Sequence, residues 1–358
     1  MKKKLTAVLL VSCLLLWGCA GGAPDADPGA AAEAAQASPE QTDTERSNME
    51  QTALTVNGEA VSLRVWNFYL RMNQMLWEKQ YLETYGDDMW SREAGEDGTT
   101  LADRLKEEVL DHICGICLAC QHAEEYGVLL DEEKTEEIRR RSEEFMETYH
   151  EALLEYAGAD EEFVFAMLSR QELSAAVAEA TVADYEPEIA EEDAHREGIC
   201  YVLLSTTGLK DAEGNLEPFS QEEVERRTLL AKELSERARE SGSLKEEAEA
   251  EGLTPIEATM GKTNEGDGHE PRMLDAARLL AVGEVSDPVW TEEGWFVVQH
   301  TSDYDAEGTE YWRAHLTEQA WEEECGRIME MWEETAEITV YEEVLDQADV
   351  KIVLKELL

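Results

Sequence analysis

Val282-Gly283-Glu284-Val285-Ser286-Asp287-Pro288-Val289, followed by Glu293-Gly294-Trp295-Phe296-Val297-Val298, is a turn-forming run that delivers the chain into an apolar strand. The strand is expected over Gly294 to His300. Upstream, Arg272 to Ala281 has helical spacing, Pro255 to Met260 reads as a strand, and Leu244 to Glu251 is a short helix closed by Gly252. Ser220 opens a longer helix that reaches about Ser241. Before it, Ile199 to Leu204 is a continuous apolar run of strand length. The order β-α-α-β-α-β defines a small domain, and the fold class is α+β.

The flanks are written in another style. On the N-terminal side, Ala53-Leu54-Thr55-Val56 alternates as a short strand and turns at Asn57-Gly58. Ser62 then caps a helix with the stripe Val65, Phe68, Tyr69, Met72, Leu76. Further amphipathic helices are expected from about Thr100 to Tyr126, from Asp131 to about Ala157, and from about Asp160 to Asp184, with Pro187 beyond. On the C-terminal side, a long helix past Asp305 carries Trp312, Leu316, Trp321, Cys325, Ile328, Met329 and Trp332. That Trp-rich stripe needs a partner, and the N-terminal helices offer one. Tyr341 to Leu345 and a strand-like Val350 to Leu354 close the chain.

The first residues read as an export signal: Lys2, Lys3 and Lys4 precede an apolar core from Leu5 to Leu16, then Trp17, Gly18 and Cys19. The apolar run is about 12 to 14 residues, short of the roughly 20 that span a bilayer. Leu16-Trp17-Gly18-Cys19 resembles a bacterial lipobox, which implies lipidation of Cys19 and a protein held outside the cytoplasm on the cell membrane. From Ala20 to about Gln51 the sequence is small and polar, the composition of a flexible tether. The whole chain of 358 residues holds 82 acidic and 30 basic side chains, a net charge of −52. Such a charge repels nucleic acid and anionic headgroups, so nucleic acid is excluded as a partner.

Thr55-Val56-Asn57-Gly58-Glu59 before an aromatic-rich helix, with Glu125-Tyr126-Gly127-Val128 and Asp131-Glu132-Glu133, is similar to the helical chaperone region of the exported foldases PrsA and SurA. The stretch quoted first, with Ala276-Ala277 ahead of it, resembles the end of a parvulin-type peptidyl-prolyl isomerase domain. The resemblance implies a mainly helical chaperone module made of N- and C-terminal segments, with a parvulin-like β-α-α-β-α-β domain inserted between them. It divides the chain into a signal (1–19), a tether (20–52), a helical region (53–190), the isomerase-like domain (191–305) and C-terminal helices (306–358). It implies unfolded or newly exported polypeptides and proline-containing segments as partners, and no cofactor.

A prolyl isomerase must lower a rotation barrier of roughly 18–20 kcal/mol by favouring the twisted amide. In the family, an apolar seat for the proline ring sits among polar groups around two histidines. By that pattern Tyr201 takes the place of the first histidine and Phe296 that of the second, so both histidines are replaced. Counting back from Gly283 places the family's ring-seating Met and Phe on His269 and Met273. The candidate catalytic residues are therefore Tyr201 and His269, and the candidate substrate-binding residues are Met273, Phe296 and Leu203. Tyr201 and Phe296 equally suit plain core positions in strands, and His269 a surface loop.

Seven cysteines reduce to five once Cys13 and Cys19 are set aside. An odd number makes a poor disulfide framework. On one helix, Cys114 and Cys120 are separated by about 9 Å of axial rise, too far for Cys114, Cys117 and Cys120 to share one zinc ion. With Ile113, Ile116 and Leu118 interleaved, they read as small buried hydrophobes.

Overall fold

The computed structural model describes residues 48–95, 98–210, 216–264 and 268–356. The expected signal, Cys19 and tether positions 20–47 lie outside the described residues. Two compact units emerge: residues up to Tyr185 join Trp321–Leu358 in one, and Glu186–Ala320 forms the other. The architecture is mixed α+β, as the sequence implied.

The first unit begins with the hairpin β1 (Thr52–Val56) and β2 (Glu59–Ser62). Asn57 (φ 51°) and Gly58 (φ 83°) both take positive φ, the requirement of a two-residue type I′ turn. A third strand, β9 (Ile338–Val340), comes from near the other end of the chain and pairs with β1 through Leu54↔Val340 and Val56↔Ile338. The sequence gives Ile338-Thr339-Val340 only a three-residue signal, and the reading above missed it.

Around this sheet pack α1 (Leu63–Tyr85), α2 (Leu101–Gln121), α3 (Glu132–Thr148), α4 (Glu151–Ala157) and α5 (Glu161–Thr181). Their starts are set by caps: Ser62, Thr100, Asp131, His150 and Asp160 each accept a backbone N–H. Trp66, Phe68, Leu70 and Met72 on α1 are fully buried, each contributing about 1.5–3 kcal/mol of hydrophobic stabilisation. Two helix expectations need correction. The helix expected to reach Tyr126 stops at Gln121, where turns take over. The helix expected from Asp131 to Ala157 breaks after Thr148, because Tyr149 is extended and the His150 ring caps a new helix by accepting from Ala152 N.

The second unit holds a four-stranded antiparallel sheet in the order β6-β3-β8-β7: β6 (Ile256–Met260), β3 (Glu197–Ser205), β8 (Gly294–Ser302) and β7 (Val289–Trp290). A small hairpin, β4 (Gly208–Lys210) with β5 (Leu216–Pro218), leaves β3 and was not foreseen. Helix α6 (Glu191–Ala194) precedes β3. Helices α7 (Gln221–Ser241) and α8 (Leu244–Ala250) cover one sheet face with Ala231, Leu234, Ala238, Leu244 and Ala248, against Val202, Leu204 and Val297. The short α9 (Pro271–Ala277) lies on the other face. It ends before the expected Ala281, where Arg278 turns back to donate to the carbonyls of Gly261 (2.9 Å) and Thr263 (2.6 Å).

Helix α10 (Ala306–Thr335) starts in the second unit and finishes in the first. Its Trp stripe is not one continuous contact. Trp332 is buried, its ring stacked on His122 at 4.1 Å and 8°. Trp321 is 42% exposed and donates to Tyr185 O at 3.0 Å. Trp312, in the second unit, lies under the guanidinium of Arg196 at 3.8 Å. After β9 and α11 (Glu342–Leu345), Val350 to Leu354 is not the expected strand but an irregular segment entering a 3-10 turn at Leu354–Glu356.

Candidate functional site

Period-two alternation places Ile199, Tyr201 and Leu203 of β3 on the α9 side of the sheet, together with Phe296 and Val298 of β8. The register Tyr201↔Val298 and Leu203↔Phe296 makes these neighbours across two strands. Because α9 is only seven residues long, it leaves Tyr201 and Leu203 half-buried at its margin.

All five candidate residues gather in this cluster and its rim. The Tyr201 ring meets His269 edge to face at 5.7 Å and Phe296 at 5.9 Å. His269 is half-buried rather than a free loop side chain. Leu203 sits beside them, opposite Phe296. Met273 and Phe296 lie beneath, at 0% and 5% exposure. They form the floor of the cluster, closed to solvent. Burial raises the pKa of the Tyr201 phenol, so at neutral pH it is a neutral hydroxyl able to donate a hydrogen bond. The cluster thus offers an aromatic rim with one phenol and one imidazole over an apolar floor. Trp290, 47% exposed and 5.0 Å from Trp295, belongs to the opposite, α7 side of the sheet, so it does not join this rim.

His300, also on β8, lies elsewhere. Its Nδ1 is 2.9 Å from Leu280 O, and its Nε2 is 3.0 Å from Ser302 O and 3.2 Å from a Glu197 oxygen. Those contacts join the exit of α9 to the sheet.

Solved structures similar to this chain include foldase, peptidylprolyl isomerase and SurA-like chaperone proteins. A foldase protein PrsA from Lactococcus lactis is 13% identical, covering 84% of this chain and 100% of its own, with a TM-score of 0.33. A peptidylprolyl isomerase PrsA from Bacillus cereus is 16% identical over 86% and 99%, with a TM-score of 0.29. A SurA-like chaperone of Campylobacter jejuni is 11% identical over 81% and 98%, also at 0.29. No protein-family profile and no curated protein sequence matches this chain.

In the first unit, the cysteine helix is inert. Burial pushes the Cys114 thiol up to about 12 and that of Cys120 to about 11, so both are protonated and neither is a ready nucleophile or ligand. Cys117 accepts from Arg170 at 3.3 Å, and Cys120 donates to Arg170 O at 3.4 Å. Among the described residues no group of three or more His, Cys, Asp or Glu is placed to hold a metal ion. Beyond α2, a cavity of about 720 Å³ is lined by Cys120, Gln121, Ala123, Val128, Leu129 and Leu173, among others, with Leu129 87% exposed. Sequence reasoning did not find it, since part of its lining, Ala123 and Glu124, lies in a turn that was read as helix and the rest follows in Gly127 to Leu130.

A further constellation escaped the sequence reading. Asn67, Arg71, Gln74 and Glu78 are all buried on α1, at positions i, i+4, i+7 and i+11. The signal was available as a polar stripe at helical spacing beside the apolar one.

Proposed function

We propose that this protein is an extracytoplasmic foldase or holding chaperone for exported polypeptides, anchored to the cell membrane through a lipid on Cys19. Its parts are a helical module (53–190 with 306–358) and an inserted parvulin-like domain (191–305) that engages proline-containing segments. One observation carries the reading. A helical unit draws on chain before Glu186 and after Ala320, and the sequence between forms a sheet domain in which Tyr201 and His269 make a half-buried rim over Met273 and Phe296. Tyr201 and His269 take a peptide by ring contact and one hydroxyl donor. Leu203, Met273 and Phe296 supply apolar support.

The closed floor favours holding over catalysis. Seating a proline ring on Met273 requires α9 to lift, and rate enhancement requires interactions that strengthen as the amide twists. A rim with one neutral phenol and one imidazole offers few of them.

Two assays test this on the soluble chain from Thr52 onward. Suppression of client aggregation is expected. A protease-coupled assay on a proline peptide is expected to stay near the uncatalysed rate. Failure to suppress aggregation of any unfolded client refutes the chaperone reading. Strong isomerisation that is indifferent to Tyr201→Phe and His269→Ala refutes the placement of the site.

A further inference from the structure

The buried polar residues of α1 point at the main chain of the C-terminal segment rather than at its side chains. Arg71 Nη2 donates to Asp349 O at 3.1 Å, and Gln74 Nε2 donates to Ile352 O at 2.8 Å. Glu78 Oε2 accepts from Leu354 N at 2.7 Å. The two chains run in the same direction, with the recognising residues spread over about 10 Å of helix at 1.5 Å per residue.

The reading groups are themselves held. Asn67 Oδ1 accepts from Arg71 Nε at 3.1 Å, and Gln74 Oε1 accepts from Arg71 Nη1 at 2.8 Å. Glu78 Oε1 accepts from Gln74 Nε2 at 2.8 Å and from Trp90 Nε1 at 3.0 Å. The Arg71 guanidinium also lies 4.3 Å over the Tyr156 ring. The side chains of the segment contribute by spacing: Val350, Val353 and Leu354 are buried, while Lys351 and Ile352 face outward. Asp349 makes a charged side-chain contact from this stretch to Lys106 at 2.6 Å.

We infer that the polar face of α1 is a peptide-binding track, occupied at rest by the chain's own residues 349–354 and open to an incoming segment with apolar residues at the spacing of Val350, Val353 and Leu354. Main-chain hydrogen bonds recognise any sequence, and an apolar spacing pattern is common in unfolded chains. A pre-ordered row of donors and acceptors costs little to organise when a new segment arrives. The row itself contacts only main-chain groups of the segment, and the one carboxylate the segment sets beside it, Asp349, pairs with Lys106, so an acidic residue at that position favours an occupant. The identity of that occupant as an unfolded client rests on the chaperone reading above. The exchange of segments on the track does not.

The test uses the full soluble chain and a labelled synthetic peptide of residues 347–356. Amide exchange along 349–354, including Leu354 N–H, is expected at least tenfold faster than in the middle of α1. Excess peptide should bind saturably and speed that exchange further by displacing the resident segment. Methylating the peptide nitrogen equivalent to Leu354 N should weaken binding at least tenfold, whereas swapping Val for Ile at the buried positions should leave it within about threefold. A segment that exchanges no faster than α1 overturns the proposal, as does peptide binding that displaces nothing. Displacement without any aggregation suppression leaves the track standing and removes the chaperone reading, and the reverse result removes the track alone.

Discussion

Replacing Trp332 by Ala tests how the end of α10 is held. The indole is 9% exposed and stacks on His122 at 4.1 Å, with Tyr126 5.9 Å away at 66°. Removing a buried Trp costs about 3–5 kcal/mol, of which the ring contacts supply roughly 0.5–1.5 kcal/mol each beyond area burial. Trp321 on the same helix is the internal control. It is 42% exposed and makes one hydrogen bond, so Trp321→Ala should cost about 1 kcal/mol. In thermal unfolding followed by circular dichroism, Trp332→Ala should lower the midpoint by on the order of 10 °C and Trp321→Ala by a few degrees. Equal losses for the two variants would show that the stripe is not divided as described.

Stability should fall on acidification in two windows. His112 is buried with no hydrogen-bond partner for Nδ1 among the described residues, and desolvation lowers its pKa to about 4. Neutral histidine is thus favoured in the fold. Its contribution is intact above the unfolded value near 6.5 and is lost as pH falls toward 4, amounting to about 3 kcal/mol. His112→Leu should flatten that window in urea unfolding, and equal wild-type stability at pH 7 and pH 4.5 would refute the assignment. Asp349 follows below. Burial alone would raise its pKa, but hydrogen bonds from Lys106 and Lys351 outweigh that and hold it at about 2, so its contribution is lost between about pH 4 and pH 2. Gly294→Ala should melt the sheet of the second unit. Gly294 has φ 145°, and an added Cβ would lie 2.3 Å from Leu204 O, so loss of the near-ultraviolet signal of Trp295 is the readout. Phe296→His should destabilise the second unit by about 3 kcal/mol, because the ring nitrogens enter a site at 5% exposure. Retention of wild-type stability would show that the floor is open.

The sequence was legible wherever one local signal sufficed. The Asn57-Gly58 turn, the Ser62 cap and the strand starting at Gly294 appear where their chemistry demanded. Clustering of Tyr201 and His269 was legible only through family resemblance, since no spacing rule brings a strand residue to a loop 68 positions later. The misses share a cause. His150 as a cap, β9 beside β1, and Glu78 receiving Leu354 N are decided by partners distant in sequence or by an unusual cap, and window-based patterns do not contain them. The charge reading limited the class of partners and said nothing of the track, whose working groups are buried and locally paired.

The pairing of α1 with the last residues also sets an order of events. Arg71 and Asp349 are 278 positions apart, so the first unit closes only once the segment around residues 349–354 has been delivered. A chain that emerges from its N-terminus presents α1 early, with Trp66, Phe68 and Met72 uncovered, while the continuous sequence of Glu186–Ala320 can complete its own sheet in the meantime. Closing so long a loop is an entropic cost that no local contact offsets in advance. Maturation of this protein should therefore be limited by arrival of its own tail.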